Sequence, residues 1–343
     1  MGYKKLSEVS DYVSEKINNS LLTVDTFIGV DNMLPDCQGI VQATYKPDTG
    51  NSTAFKVGDI LIGNIRPYFK KIWFATFNGG CSADVLVIRS KEKENAKFLF
   101  AALSTDNFFN YDMAGSKGSK MPRGDKNHIM NYPINFVNNF EKIGNLLFDI
   151  NGQIERNNAM FQKLQDMGHT IYSKEINTNT KYFDLKTVAN ISTGKEDANF
   201  ASLNGKYNFY TCSEEISKCN EFAFDGNSIL IAGNGNFNVK YYNGKFNAYQ
   251  RTYVIQNDTL FGNIYYSSLR SIDGFTKNAN GSIIKFITLG LVQGIQIPIL
   301  SDKTNNLLND IVSQKNKITL ETEKLNQLKN KLLPLLINGQ LEI

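Results

Sequence analysis

Histidine and cysteine are scarce in this chain. His128 and His169 are its two histidines, and Cys37, Cys81, Cys212 and Cys219 are scattered without a C-x-x-C pair. Zinc requires several nitrogen or sulfur ligands at tight spacings, so this inventory argues against a metal site. Unpaired cysteines point to reduced thiols and a cytoplasmic location. No apolar run is long enough to span a bilayer, and the first residues lack the basic-then-apolar order of a signal segment. A phosphate-cradling glycine loop is missing too. Gly233, Asn234 and Gly235 begin like a dinucleotide fingerprint, but no third glycine follows at the required spacing and no helical pattern starts there.

Catalytic constellations are equally thin. Nucleases that act alone present paired acids and a lysine around a metal. Asp59 and Asp84 fit ordinary turn and strand-end positions, and the second half has no acids at matching places. His128 lies just outside a basic loop without an acidic orienter, and reads as a surface or backbone-bonded histidine. His169 sits on a helical stretch beside Gly168 and reads as structural. Cys81 has no histidine to activate it. No catalytic residue, metal ligand or cofactor site is expected in this chain, which reads as a binder.

What the chain has in quantity is aromatic residues, 23 Phe and 16 Tyr in 343 residues, enough for two strand-rich domains with sizeable cores. The net charge of +4 is unremarkable, but its distribution is not. No acid occurs from Ile60 to Ala83, which carries Arg66, Lys70 and Lys71, or from Met113 to Gly124, which carries Lys117, Lys120 and Arg123. Gly226 to Asn257, with Lys240, Lys245 and Arg251, and Gly274 to Ser301, with Lys277 and Lys285, repeat the pattern. Such stretches suit a surface that faces phosphate.

The halves also repeat in order. A turn and a buried Ile-Leu-Ile strand occur at Lys56 to Ile62 and again at Asp225 to Ile231, each running into a glycine-bearing loop. Aromatic and β-branched segments follow at Lys71 to Phe77 and Asn238 to Phe246. Next come strands within Cys81 to Arg89 and Gln250 to Gln256, and helices at Ala96 to Phe109 and Asn263 to Asp273. Each half then has a Gly-Ser loop, Gly115 to Arg123 or Asn278 to Lys285, and a short proline-bearing strand, Asn131 to Ile134 or Gln296 to Ile299. Lys5 to Val13 and Asp184 to Ile191 are matching amphipathic openings.

Each half closes on a long heptad stripe. Ile143, Leu147, Ile150, Ile154, Phe161, Leu164 and Ile171 form the first, with Asn157 and Gly168 in its gaps. Leu308, Ile311, Ile318, Leu325, Leu332 and Leu336 form the second, interrupted by Lys315, Thr322 and Lys329. Helices of about 36 residues are on the order of 54 Å long and would pair with each other. The expected architecture is α/β (α+β): two similar recognition domains separated by two long helices in an antiparallel coiled coil, with a pseudo-two-fold. The boundaries read are 1–138, 139–176, 177–300 and 301–343.

The loops after Ile-Leu-Ile and the Gly-Ser loops supply the candidate contacts. They are Arg66, Tyr68, Lys70, Lys71, Lys117, Lys120 and Arg123 in the first half. In the second they are Asn234, Asn236, Lys240, Tyr241, Lys245, Arg251, Lys277 and Lys285. Arg and Lys grip phosphate or guanine, and Asn can read adenine through two hydrogen bonds. For the asparagines, turn formation weighs equally with base contact.

The domain–helix–domain–helix plan resembles the specificity subunit of type I restriction–modification systems. So do Gly58 to Ile62, the loop Gly118-Ser-Lys-Met-Pro-Arg123 and the helix Asp149 to Arg156. The resemblance implies two domains that each read one half of a split double-stranded DNA target, with the helices as a ruler. It implies a non-catalytic chain on which two methyltransferase subunits dock, with a separate restriction and translocase subunit as a further partner. S-adenosylmethionine, ATP and Mg2+ would belong to those partners. The halves diverge after Ile-Leu-Ile (Ile65-Arg-Pro-Tyr against Gly233-Asn-Gly-Asn), which suggests different half-sites. The rival readings are a scaffold that recruits proteins without touching DNA, and a single-chain nuclease.

Overall fold

The computed structural model describes residues 2–118, 120–235, 237–277 and 286–343, with the backbone alone at 275–277. The chain divides into two compact units, residues 1–156 with 323–343, and residues 157–322. Each long helix contributes one part to each unit.

The first unit opens with strand β1 (Tyr3–Lys5), a single-turn helix α1 (Leu6–Val9) and β2 (Ser10–Tyr12). Strands β3 (Lys16–Asn18), β4 (Phe27–Ile28), β5 (Asn51–Phe55), β6 (Ile60–Gly63), β7 (Ile72–Phe74), β8 (Gly79–Cys81) and β9 (Val85–Ser90) follow. Helices α2 (Ala96–Leu103), α3 (Asp106–Gly115) and α4 (Lys126–Met130) lead to β10 (Pro133–Asn135) and the long α5 (Phe140–Glu175). The main sheet has the order β2-β9-β6-β7, so Ile-Leu-Ile is an interior strand. Its alternation explains why three apolar residues stand in a row. Ile60 and Ile62 face the helices, while Leu61 faces a second core with Phe55, Trp73 and Val87. The helical stretch read from Ala96 to Phe109 breaks at Ser104 and Thr105. Thr105 is extended there, and its hydroxyl caps α3 by accepting the Phe108 N–H at 3.3 Å.

The second unit repeats the plan. It has β11 (Tyr182–Asp184), α6 (Leu185–Val188), β12 (Asn190–Thr193), β13 (Tyr207–Tyr210), β14 (Ser217–Cys219) and β15 (Asn227–Ala232). Then come β16 (Val239–Asn243), β17 (Phe246–Ala248), β18 (Thr252–Gln256), α7 (Phe261–Lys277), α8 (Leu289–Gln293), β19 (Gln296–Pro298) and the long α9 (Asp302–Ile337). Its main sheet, β12-β18-β15-β16, has the same order position for position, and β11·β19 reproduces β1·β10. Ile229 and Ile231 face the helical core and Leu230 the opposite one. The second sheets differ, β3-β5-β8-β4 against β14-β13-β17, although each keeps one parallel pair, β4·β8 and β13·β17. The duplication therefore extends to topology, and the divergence is concentrated in the second sheets and their loops.

Within each unit the long helices run in opposite directions. In the first unit, Ile143 and Leu147 share a core with Leu336 and Ile337, and the Asn139 side-chain amide donates to the Ile343 carbonyl at 2.9 Å. In the second, Leu164 shares a core with Leu308, Ile311 and Val312. The polar gap residues Asn157 and Lys315 are buried in these seams. Among the described residues no helix is long and apolar enough to cross a membrane.

Candidate nucleic-acid interface

In the first unit the site is built where β6 ends. Gly63 is followed by Asn64, Ile65 and Arg66, then a 3-10 turn over Pro67–Phe69. The Gly-Ser loop after α3 closes into a hairpin: the Lys117 N–H donates to the Arg123 carbonyl at 2.9 Å, and the Arg123 N–H returns to Lys117 at 3.0 Å. Gly118, at φ +95°, makes its turn. This hairpin is stitched to the β6 loop by an Ile65–Arg123 bridge and by the Arg66 N–H on the Pro122 carbonyl at 2.8 Å. Arg66, Lys117, Lys120 and Arg123, read from two distant stretches, thus come together.

Their charges are partly engaged. Arg123 pairs with Asp84 at 3.0 Å, and Lys117 with Asp125 at 2.5 Å. Lys117, helped by the His128 and Asn127 backbone N–H groups, pulls the Asp125 carboxyl down to about 2. Lys120 is exposed, and Tyr68 projects from the turn. Lys70 and Lys71 are occupied within the unit. The Lys70 ammonium sits on Asp106 at 2.7 Å, and Lys71 Nζ donates to the Val30 carbonyl at 2.7 Å. Asp59, weighed as a nuclease acid, is buried and gripped at both oxygens by Arg89, at 2.7 and 2.8 Å. His128 is bonded at Nε2 to the Tyr111 carbonyl at 2.9 Å and stacks on that ring. Sequence reasoning missed Phe69 and Met121, both exposed beside these cations, and the buried Asp112 beneath the hairpin. The signal for Phe69 was available, since it falls within the same acid-free stretch.

The second unit repeats the stitching. Asn234 bridges Phe286 as Ile65 bridges Arg123, and the Gly233 N–H on the Arg251 carbonyl at 2.8 Å repeats the Asn64 N–H on Asp84 at 2.8 Å. Arg251 therefore stands where the first unit has Asp84, and among the described residues the ion pair of the first unit is not reproduced. Asn234 and exposed Arg251 are brought together at this loop. Lys240, Tyr241 and Lys245 lie instead on β16 and the turn after it. Lys240 Nζ donates to the Ser213 carbonyl at 2.5 Å and to Asn238 Oδ1 at 2.8 Å, and burial holds its ammonium below the usual lysine range. The Tyr241 hydroxyl, pushed up to about 12 by burial, donates to Asn227 Oδ1 at 2.5 Å while its ring stacks on Phe261. Lys245 lies 4.6 Å over the Phe222 ring. Asn236 and Lys285 lie outside the described residues, and Lys277 is described only as the backbone end of α7. Among the described residues no group of three or more His, Cys, Asp and Glu could hold a metal ion.

The fold of the chain is similar to that of a solved structure. The crystal structure of the S subunit of a type I restriction–modification system from M. genitalium is similar to it over 96% of this chain and 94% of that one, with a TM-score of 0.69 and 16% identity. Residues 177–330 match the family model described as type I restriction modification DNA specificity domain. Among curated relatives, the chain is 37% identical over 170 residues to the type I restriction enzyme EcoDI specificity subunit of Escherichia coli. That match takes in 47% of this chain and 38% of the relative, so the aligned region spans well under half of the relative's length. The likeness expected from the duplicated plan is the likeness these comparisons find.

Proposed function

We propose that the chain is the non-catalytic DNA-specificity subunit of a type I restriction–modification complex. Each unit reads one half of a bipartite duplex target, through the loop that follows its Ile-Leu-Ile strand and the loop stitched to it. The observation that carries this reading is the repeated stitching. Two acid-free stretches far apart in sequence are joined into one surface at the same strand end in both units. A structural reason alone does not require that surface to be basic. Lysines and arginines there neutralise phosphates and set the register, and a few side chains per loop discriminate bases. The parts 1–138 and 177–300 are the reading domains, and 139–176 with 301–343 form the spacer. The chain between the reading domains is helix and not a Gly/Ser-rich linker, as a spacer requires. The methyltransferase subunits dock along this spacer and supply the chemistry together with S-adenosylmethionine.

The structure favours some candidates over others. Arg66, Lys117, Lys120, Arg123 and Tyr68 in the first unit, with Asn234 and Arg251 in the second, are the contacts we assign. Lys70, Lys71, Lys240 and Tyr241 are engaged by neighbouring groups and, unlike the ion-paired but exposed Lys117 and Arg123, are half-buried, and we assign them as supports. The test is Lys117→Ala, Lys120→Ala and Arg123→Ala in one protein, with duplex affinity followed against salt. For every phosphate that the variant no longer neutralises, the slope of log K against log salt should fall by about 0.9. An unchanged slope removes the hairpin from the interface.

A further inference from the structure

The turn over Pro67–Phe69 is held more firmly than a surface loop requires. Arg66 and Lys70, which bracket it, both have φ of 52°, and Asp36 and Cys37 on a neighbouring loop have φ of 53° and 58°. Side chains with a Cβ rarely adopt such backbone, and it persists only where the surroundings impose it. Here they do. The Asp36 N–H donates to the Phe69 carbonyl and the Cys37 N–H to the Lys70 carbonyl, both at 2.9 Å. Arg66 is bonded through its N–H to Pro122 at 2.8 Å, and the Lys70 ammonium is clamped by Asp106 at 2.7 Å. What this frame holds out to solvent is apolar. Tyr68 and Phe69 are 48% and 39% exposed with ring centroids 4.8 Å apart, and Met121 on the stitched hairpin is 51% exposed.

We propose that Tyr68 and Phe69 form an aromatic wedge that enters the base stack of duplex DNA at the half-site read by the first unit. The inference rests on the DNA-reading function proposed above. Charge decides the occupant. Asp84, Asp106 and Asp125 are each neutralised by an ion pair, so the exposed Asp36 of the frame is set against Arg66 and Lys120, and the face remains cationic on balance. An aromatic pair amid cations matches a partner with flat apolar faces and an anionic edge, and stacked bases between phosphates have both. The rigid frame matters as well, because a wedge that must part stacked bases gains nothing if its own loop folds away. Among its described residues the second unit has no such aromatic pair on this loop, and a lone exposed Phe286 stands on the segment stitched to it. The loop begins Gly233, Asn234, Gly235, and the next aromatic, Phe237, packs against that unit's core. Unstacking by the Tyr68–Phe69 pair should therefore be found in the half read by the first unit.

The experiment reads the full chain without a methyltransferase partner, because such an enzyme flips a base by itself, on a duplex selected from a random pool. 2-Aminopurine replaces adenines one at a time along both halves. Unstacking should raise its fluorescence severalfold at one step in the half read by the first unit. Tyr68→Ser with Phe69→Ser should abolish the rise and weaken binding by about five- to a hundredfold, while Tyr68→Trp retains both. A bound duplex with no rise in either half overturns the wedge and leaves DNA reading intact. So does a rise unchanged in the double variant, or a variant that, assayed separately, loses only its hold on the methyltransferase. A chain that retains no duplex at all removes the DNA-reading function together with the wedge.

Discussion

At the scale of single residues, two buried ionisable groups govern how stability should respond to pH. Lys315 is 4% exposed, with its ammonium 4.7 Å over the rings of both Phe161 and Tyr265, bonded to the Tyr265 hydroxyl at 3.1 Å and to Gln165 Oε1. Burial pulls it down to about 8. The unfolded chain, with an ordinary lysine near 10.4, then binds more protons between those values, so stability rises as pH climbs from about 8 to about 10.4. Lys315→Met should add about 1–3 kcal/mol in urea denaturation at pH 7, and the gain should shrink near pH 10. A drop in stability at pH 7 would mean that the rings and Gln165 outweigh the burial of the charge. Asp112 is the acidic case. It is fully buried, both carboxyl oxygens lack a hydrogen-bond partner among the described residues, and burial pushes it up to about 6. The unfolded chain releases this proton first, so stability falls as pH rises from about 4 to 6 and stays lower above. Asp112→Asn should add roughly 1–3 kcal/mol at pH 7, with the gain fading toward pH 4 in the same assay. In sequence Lys315 was visible only as a gap in a seam, because the rings that fill the gap come from α5 and α7. Asp112 carried no signal, since its burial depends on the hairpin between Lys117 and Arg123.

At the scale of elements, legibility followed patterning. The Ile-Leu-Ile strands were readable because an interior strand with a core on each face needs an apolar run, and turn residues bound both copies. The long helices were readable from their heptads, and their ends, Phe140–Glu175 and Asp302–Ile337, fall close to the stripes. The interlocked loops at 36–37 and 66–70 were not readable, since Asp, Cys, Arg and Lys announce no positive φ. Close helix approach was equally silent. A Cβ on Gly144 of α5 would stand 2.7 Å from the Phe98 backbone nitrogen, and one on Gly262 of α7 would collide with the Leu308 backbone. Gly168 was noticed as a seam gap, but not that the Tyr266 hydroxyl occupies it. Backbone cannot give way as a flexible side chain can. Gly144→Val or Gly262→Val should therefore cost about 1–3 kcal/mol or more, read as a lowered urea midpoint with an unchanged far-ultraviolet spectrum.

At the scale of the whole molecule, duplicated topology and divergent loops have different meanings. The main sheets match strand for strand, so the two proposed contact surfaces lie at equivalent places, the ends of β6 and of β15. The second sheets and loops differ, and Asp84 in one copy is replaced by Arg251 in the other, which gives the two surfaces different chemistry. A small net charge of +4 conceals the basic stretches that form these surfaces, although the fold brings Asp84, Asp106 and Asp125 back onto the first of them as ion-pair partners. The most direct test is selection of random duplexes by the full chain with a methyltransferase partner, followed by sequencing. Two short, different motifs separated by a gap of constant length are expected, and Arg251→Ala should relax only one of them. No enrichment, or a single uninterrupted motif, would contradict the two-headed reading.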